Sequence, residues 1–160
     1  MGRKADILDG LGGATPVLRR FARALCAGAT PAVADELVQN ALHSVGTRIR
    51  NKELRPSDLA EARIEAYAVL AALAAERLGS GAKAAPRHPP IVHGLADLEF
   101  DERAALLLVS LEGFGYDAAA RIIGVARETL VSRLMRARSV LGAPLADGAS
   151  RRASHLRVVK

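Results

Sequence analysis

The chain has 160 residues, half of them apolar, and a formal net charge of +6. That length suits one domain or two small ones, and the apolar share excludes a disordered chain. The single cysteine, Cys26, excludes an internal disulfide framework and fits a reducing cytoplasm. The apolar residues are mainly Ala, Leu and Val, with no Trp, three Phe and two Tyr. No run alternates with a period of two between hairpin turns. The composition therefore points to an all-α fold.

The first thirteen residues, MGRKADILDGLGG, contain no apolar core of a signal peptide, and no later stretch is long enough to span a bilayer. The expected location is the cytoplasm, with no membrane partner. Met1-Gly2 resembles a myristoylation start, but Asp6 stands where Ser or Thr is required. Gly10, Gly12 and Gly13 follow no strand, which argues against a phosphate-binding loop. Thr15-Pro16 and Thr30-Pro31 each pair a capping hydroxyl with a proline at a first helical position. The spacing predicts one helix over 16–28, with Val17, Leu18, Phe21, Ala22 and Leu25 inward and Arg19, Arg20 and Arg23 outward. Cys26, among Ala and Leu, is expected to be buried filler. A second helix is predicted from Pro31 to Arg50, with Val33, Leu37, Ala41, Leu42, Val45 and Ile49 inside. The polar stretch 51–58 reads as a loop. Asp58 with Glu61 has the form of a capping box opening an alanine-rich third helix that stops at Gly79.

From 80 to 94 the composition turns to Pro and Gly, which predicts a linker. Beyond it, helices are predicted over 99–111, 117–123 and 127–141, separated by Gly113, Gly115 and Gly124. The predicted organisation is a three-helix domain over 1–79, the linker at 80–94, a helix-turn-helix domain over 95–142 and a basic, irregular tail over 143–160. From Arg127 to Lys160 there are eight Lys and Arg against Glu128 and Asp147, so this segment carries the whole charge excess. A basic end on a neutral body suits a polyanionic partner, most often nucleic acid. In the last predicted helix Leu130, Leu134, Ala137 and Leu141 share one face. Arg127, Glu128, Thr129, Ser132, Arg133, Arg136 and Arg138 lie outside it. Short polar groups framed by arginines, on a helix that follows a glycine turn, are what a major-groove reader needs. His43, His88, His93 and His155 form no ligand cluster with each other or with Cys26, so no metal site or cofactor is expected. No nucleophile–base pair can be argued from spacing, and the chain is not expected to be an enzyme.

The run 98-LEFDERAALLLVSLEGFGYDAAARIIGVARETLVSRLMRARSVL-141 closely resembles region 4 of the extracytoplasmic-function group of bacterial sigma factors (sigma-70 family, group IV), and in particular the subclass used in alphaproteobacterial general stress responses. The segments 18-LRRFARALCAG-28 and 35-DELVQNAL-42 are similar to the opening helices of region 2, in a more degenerate form. The resemblance implies that the last helix reads the promoter −35 element. It also implies that Asp35, Glu36, Leu37, Val38, Gln39 and Asn40 dock on the clamp helices of the RNA polymerase β′ subunit, with the β flap as a further contact of the core enzyme and an anti-sigma factor as a possible partner. After Leu42 the pattern departs from the family. Tyr67 stands where a Trp belongs, Leu73 and Ala74 replace an Arg-Asn pair, and no aromatic occurs between Phe21 and Tyr67. The loop 48–55 keeps Arg48, Arg50, Lys52 and Arg55, which can grip a strand, but it offers nothing for base stacking. The readings that follow are a sigma factor, a polymerase-bound activator that leaves melting to another factor, and a sigma mimic that sequesters an anti-sigma protein. The arginine-rich helix places the mimic behind the two DNA-binding readings.

Overall fold

The computed structural model describes residues 2–79 and 90–153. Within them the chain is all-helical, with eight helices and no strand: α1 (Gly2–Gly13), α2 (Thr15–Leu25), α3 (Pro31–Arg50), α4 (Leu59–Leu78), α5 (Pro90–Asp97), α6 (Phe100–Ser110), α7 (Tyr116–Ile123) and α8 (Arg127–Ala153).

The three helices expected before residue 79 are present, and α1 precedes them where no helix was predicted. Its glycines hide the pattern, because only Ile7 and Leu11 are buried, one turn apart. At Gly10 the helix passes so close to α4 that an added Cβ would lie 2.7 Å from Leu59 Cδ2. Thr15 does not cap α2. Its hydroxyl donates to the Gly12 carbonyl at 2.7 Å, closing the turn out of α1. Thr30 stands at the N-cap of α3 without a side-chain cap bond. The cap at Asp58 does form, with its carboxylate accepting from Glu61 N–H at 2.8 Å. Glu61 reaches one residue further back than expected and accepts from Ser57 N–H at 2.7 Å. That backbone bond, with Arg121 beside it, holds the Glu61 carboxyl below its ordinary pKa.

The predicted linker lies outside the described residues over 80–89. Its last residues, expected to be non-helical, open α5 at Pro90. Proline suits a first helical position because the N–H it lacks has no partner there. The last helix also runs past its expected end at Leu141 to Ala153, through the alanine- and arginine-rich stretch 149–153, whose residues favour helix.

The core begins in the first four helices, with Leu18, Phe21 and Leu25 of α2, Val38 and Val45 of α3, and Tyr67 and Leu70 of α4. It continues without a break into Ala105 and Leu108 of α6, Ala119 of α7, and Leu130 and Leu134 of α8. Three of the five aromatic rings meet where the halves join. Phe21 and Tyr67 pack edge-to-face at 5.2 Å between centroids, and Tyr67 packs the same way on Phe114 at 5.0 Å. Tyr67, which by resemblance stands where the family has a Trp, is a fully buried core residue. Its hydroxyl donates to Glu112 Oε2 at 2.6 Å, and Arg20 of α2 donates to Glu112 Oε1 at 3.0 Å. The Glu112 side chain is only 2% exposed, so a single carboxylate ties α2 and α4 to the end of α6.

Candidate nucleic-acid and polymerase interfaces

The turn between α7 and α8 is set by Gly124. It adopts φ +68°, ψ +36°, a left-handed conformation that stops α7. Val125 N–H then returns to the Ala120 carbonyl at 3.0 Å. The chain re-enters helix at Arg127 with its apolar stripe aimed at α6 and α7. Leu130, Leu134 and Ala137 are buried as the spacing predicts, and Leu141 is half-buried. Two helices thus meet at a glycine turn, as the sequence predicts, with α8 as the second of them.

The outward face divides into two sets of side chains. Glu128, Thr129, Ser132, Arg136 and Arg138 are exposed. Among the described residues no carboxylate pairs with Arg136 or Arg138. Ser132 donates its hydroxyl to the Glu128 carbonyl at 3.0 Å, which fixes its rotamer on the helix surface. Arg127 and Arg133 are held from within. Arg127 pairs with Asp117 of α7 at 3.0 Å and sits 5.7 Å from the Tyr116 ring centroid. Arg133 pairs with Asp101 of α6 at 2.9 Å and is 21% exposed, against 58% for the aspartate. An exposed pair contributes at most about 1 kcal/mol, so Arg127 is released to a phosphate at little cost. Arg133 is held more firmly, along a fixed direction. The spacing within α8 identifies the arginines but not Asp101 or Asp117, whose positions depend on how α6 and α7 pack.

The second candidate surface is on α3. Glu36, Gln39 and Asn40 are exposed and Asp35 is half-buried. Asp35 is engaged by Arg23 at 3.3 Å and Arg19 at 3.5 Å, both from α2. Leu37 is 6% exposed and Val38 is fully buried, so these two support the helix from the core and four of the six named residues form its outer face. Beside them a groove of about 290 Å³ runs between α3 and α4, with Glu36, Asn40, Leu73 and Glu76 among its walls.

Arg103 joins the two halves and was not singled out by sequence. It is 5% exposed and faces no carboxylate. It donates instead to the carbonyls of Leu25 at 2.7 Å and Leu98 at 2.9 Å. Leu25 ends α2, where the helix dipole presents its negative end. Burial lowers the Arg103 pKa, and neighbouring Cys26 opposes that shift. Burial also pushes the Cys26 thiol up to about 11, partly offset by Arg103. The expected role of Cys26 as buried filler agrees with its 1% exposure.

No helix among the described residues is long and apolar enough to cross a membrane. Residues 95–139 match the family model described as the sigma-like domain of the response regulator PhyR. Over 56 residues the chain is 52% identical to the ECF RNA polymerase sigma factor EcfG of Rhodopseudomonas palustris (strain TIE-1), a match covering 34% of this chain and 31% of that protein. The chain thus spans about a third of the length of that relative. Among solved structures it is similar to the sigma factor RpoE of Bartonella quintana, crystallised with the anti-sigma factor NepR. There the identity is 25% and the TM-score 0.67, over 88% of this chain and 97% of that one. The fold is also shared with the anti-anti-sigma factor PhyR of Bartonella quintana, crystallised with NepR, at 23% identity and a TM-score of 0.58, over 82% of this chain and 47% of that one. Residues 95–139 are thus similar to a sigma-like domain, and the all-helical fold as a whole is similar to that of a sigma factor.

Proposed function

We propose that this chain is a cytoplasmic, nucleoid-associated transcription protein of the extracytoplasmic-function sigma type. It binds RNA polymerase core through the outer face of α3 and promoter −35 DNA through α8. The observation that carries this reading is the exposed face of α8, where Thr129, Arg136 and Arg138 stand free behind a glycine turn, inside the segment that matches a sigma-like domain. Arg136 and Arg138 supply phosphate contacts, and Thr129 with Arg133 supplies base contacts. Asp35, Glu36, Gln39 and Asn40 face the β′ clamp helices. The burial of Tyr67 and the lack of any aromatic in the loop 48–55 favour an activator-like role in which another factor melts the promoter.

A second reading is a sigma mimic whose partner is an anti-sigma protein. It draws on the pairing of Arg127 with Asp117 and of Arg133 with Asp101, which partly offsets two of the four arginine charges of α8 before Leu141. It also draws on the match to a domain of a response regulator. The deciding experiment is a pull-down of the tagged chain from its host, scored for the β and β′ subunits and for a small anti-sigma protein. Recovery of polymerase that is lost on replacing Glu36 and Gln39 supports the polymerase reading, and run-off transcription then separates sigma factor from activator. Recovery of an anti-sigma protein without polymerase supports the mimic.

A further inference from the structure

A cavity of about 460 Å³ lies between α1, the end of α3 and the loop that follows. Its walls are aliphatic: Ile7 of α1, Ile49 of α3, and Leu54 and Pro56 of the loop. Three cations, Lys4, Lys52 and Arg55, stand around it, and none is in an ion pair among the described residues. The loop is built to hold them there. Glu53 and Leu54 N–H groups both return to the Arg48 carbonyl, at 2.9 and 3.1 Å. Arg55 Nε donates to the Lys52 carbonyl at 3.3 Å, and Lys4 Nζ to the Arg50 carbonyl at 2.9 Å. Lys52 itself sits at φ +64°, the one described non-glycine residue with positive φ. Such a conformation costs energy in a lysine and persists only where its surroundings impose it.

We propose that this cavity is a binding site for a single-chain anionic amphiphile, with the alkyl chain against Ile7, Ile49 and Leu54 and the head group between Lys52 and Arg55. The volume is that of a small-molecule site. The combination of aliphatic floor and unpaired cations selects the ligand class. An apolar chain needs alkyl walls, and an anion needs charges that no internal carboxylate neutralises. Single-stranded nucleic acid would meet the cations but find no aromatic ring to stack on.

The test uses the full chain and sodium decanoate below its micelle concentration, followed by methyl NMR. The expected result is saturable one-to-one binding that shifts the Ile7, Ile49 and Leu54 methyl signals, with decanol at least tenfold weaker. The double variant Lys52→Glu/Arg55→Glu, altered at two exposed positions, should weaken decanoate at least tenfold while leaving far-UV circular dichroism unchanged. The decanol comparison needs no variant, so it decides the matter even if that protein folds poorly. Equal binding of decanoate and decanol, or an absence of saturation, overturns the proposal. So does binding to phosphatidylglycerol vesicles without binding to monomeric decanoate, or displacement of the same methyl signals by a single-stranded oligonucleotide alone.

Discussion

Arg133 and Arg136 lie three positions apart on one helix and differ in what holds them. Arg133 is anchored to Asp101 at 2.9 Å, whereas Arg136 is exposed. A guanidinium aimed by a carboxylate approaches a base edge in one orientation, and a free one settles on whichever phosphate is near. Asp101→Asn should therefore relax the sequence preference of α8 by about 1–3 kcal/mol at one base position, the range of a single base contact. Overall affinity should be equal or higher, because a negative charge has been removed from the face proposed to meet DNA. Arg136→Ala and Arg138→Ala should weaken all duplexes alike and lower the slope of log K against log salt by about 0.9 each. Fluorescence anisotropy on a panel of single-base-substituted −35 duplexes at several salt concentrations measures both effects. If Asp101→Asn leaves the preference unchanged, Arg133 does not read a base. The inner stripe of α8 was legible in the sequence because helical period alone fixes it. The pairing of Arg133 was not, because its partner belongs to another helix and one set of exposed arginines looks like another in a linear pattern.

At the scale of elements, the turn between α7 and α8 was legible through Gly124, since a left-handed stop has a residue signature and a helical period resumes just beyond it. At that position an added Cβ meets nothing within 4 Å, so Gly124→Ala tests the backbone alone. It should destabilise by about 1–2 kcal/mol, the cost of a left-handed conformation for a residue with a Cβ, as read by urea unfolding. Helix α1 was not legible, because two buried residues in a glycine-rich stretch leave too little periodicity to count. The end of α2 carries a prediction of its own. Cys26 is protonated in the fold up to about pH 11, against an ordinary thiol value of 9.0. Raising the pH from 9 to 11 ionises the thiol in the unfolded chain while the native state still holds its proton. That difference favours the unfolded chain, so stability is full below pH 9 and falls as pH rises towards 11, by roughly 3 kcal/mol across the window at about 1.36 kcal/mol per pKa unit. Cys26→Ala should start lower from the loss of packing but fall less steeply over that window. Parallel curves for the two proteins would show that the thiol does not contribute.

At the scale of the whole molecule, the two halves share one core and are joined by buried polar groups. Glu112 accepts from Tyr67 and Arg20, and Arg103 closes on the carbonyl end of α2. The closed arrangement leaves Glu36, Gln39 and Asn40 on α3 and the outer face of α8 exposed at the same time, so opening is not needed to reveal either surface. Sequence patterns located six of the eight described helices, but this union could not be read from them. Tyr67 lies 45 residues from Glu112 and Arg103 lies 78 from Leu25, and each side chain alone looks ordinary in a linear pattern. A shared core makes unfolding one cooperative event. Far-UV circular dichroism and tyrosine fluorescence should therefore give coincident urea transitions in the wild type. Glu112→Ala leaves the Tyr67 hydroxyl buried without its acceptor, which costs about 1–3 kcal/mol. Tyr67→Phe in the same chain removes the orphaned hydroxyl and should recover part of that loss, so the cycle of single and double variants should show a coupling above about 0.5 kcal/mol. Additive losses would mean that the Tyr67–Glu112 bond does not join the halves. Two separate transitions in the wild type would mean that they fold as independent domains with the aromatic contacts as a weak interface.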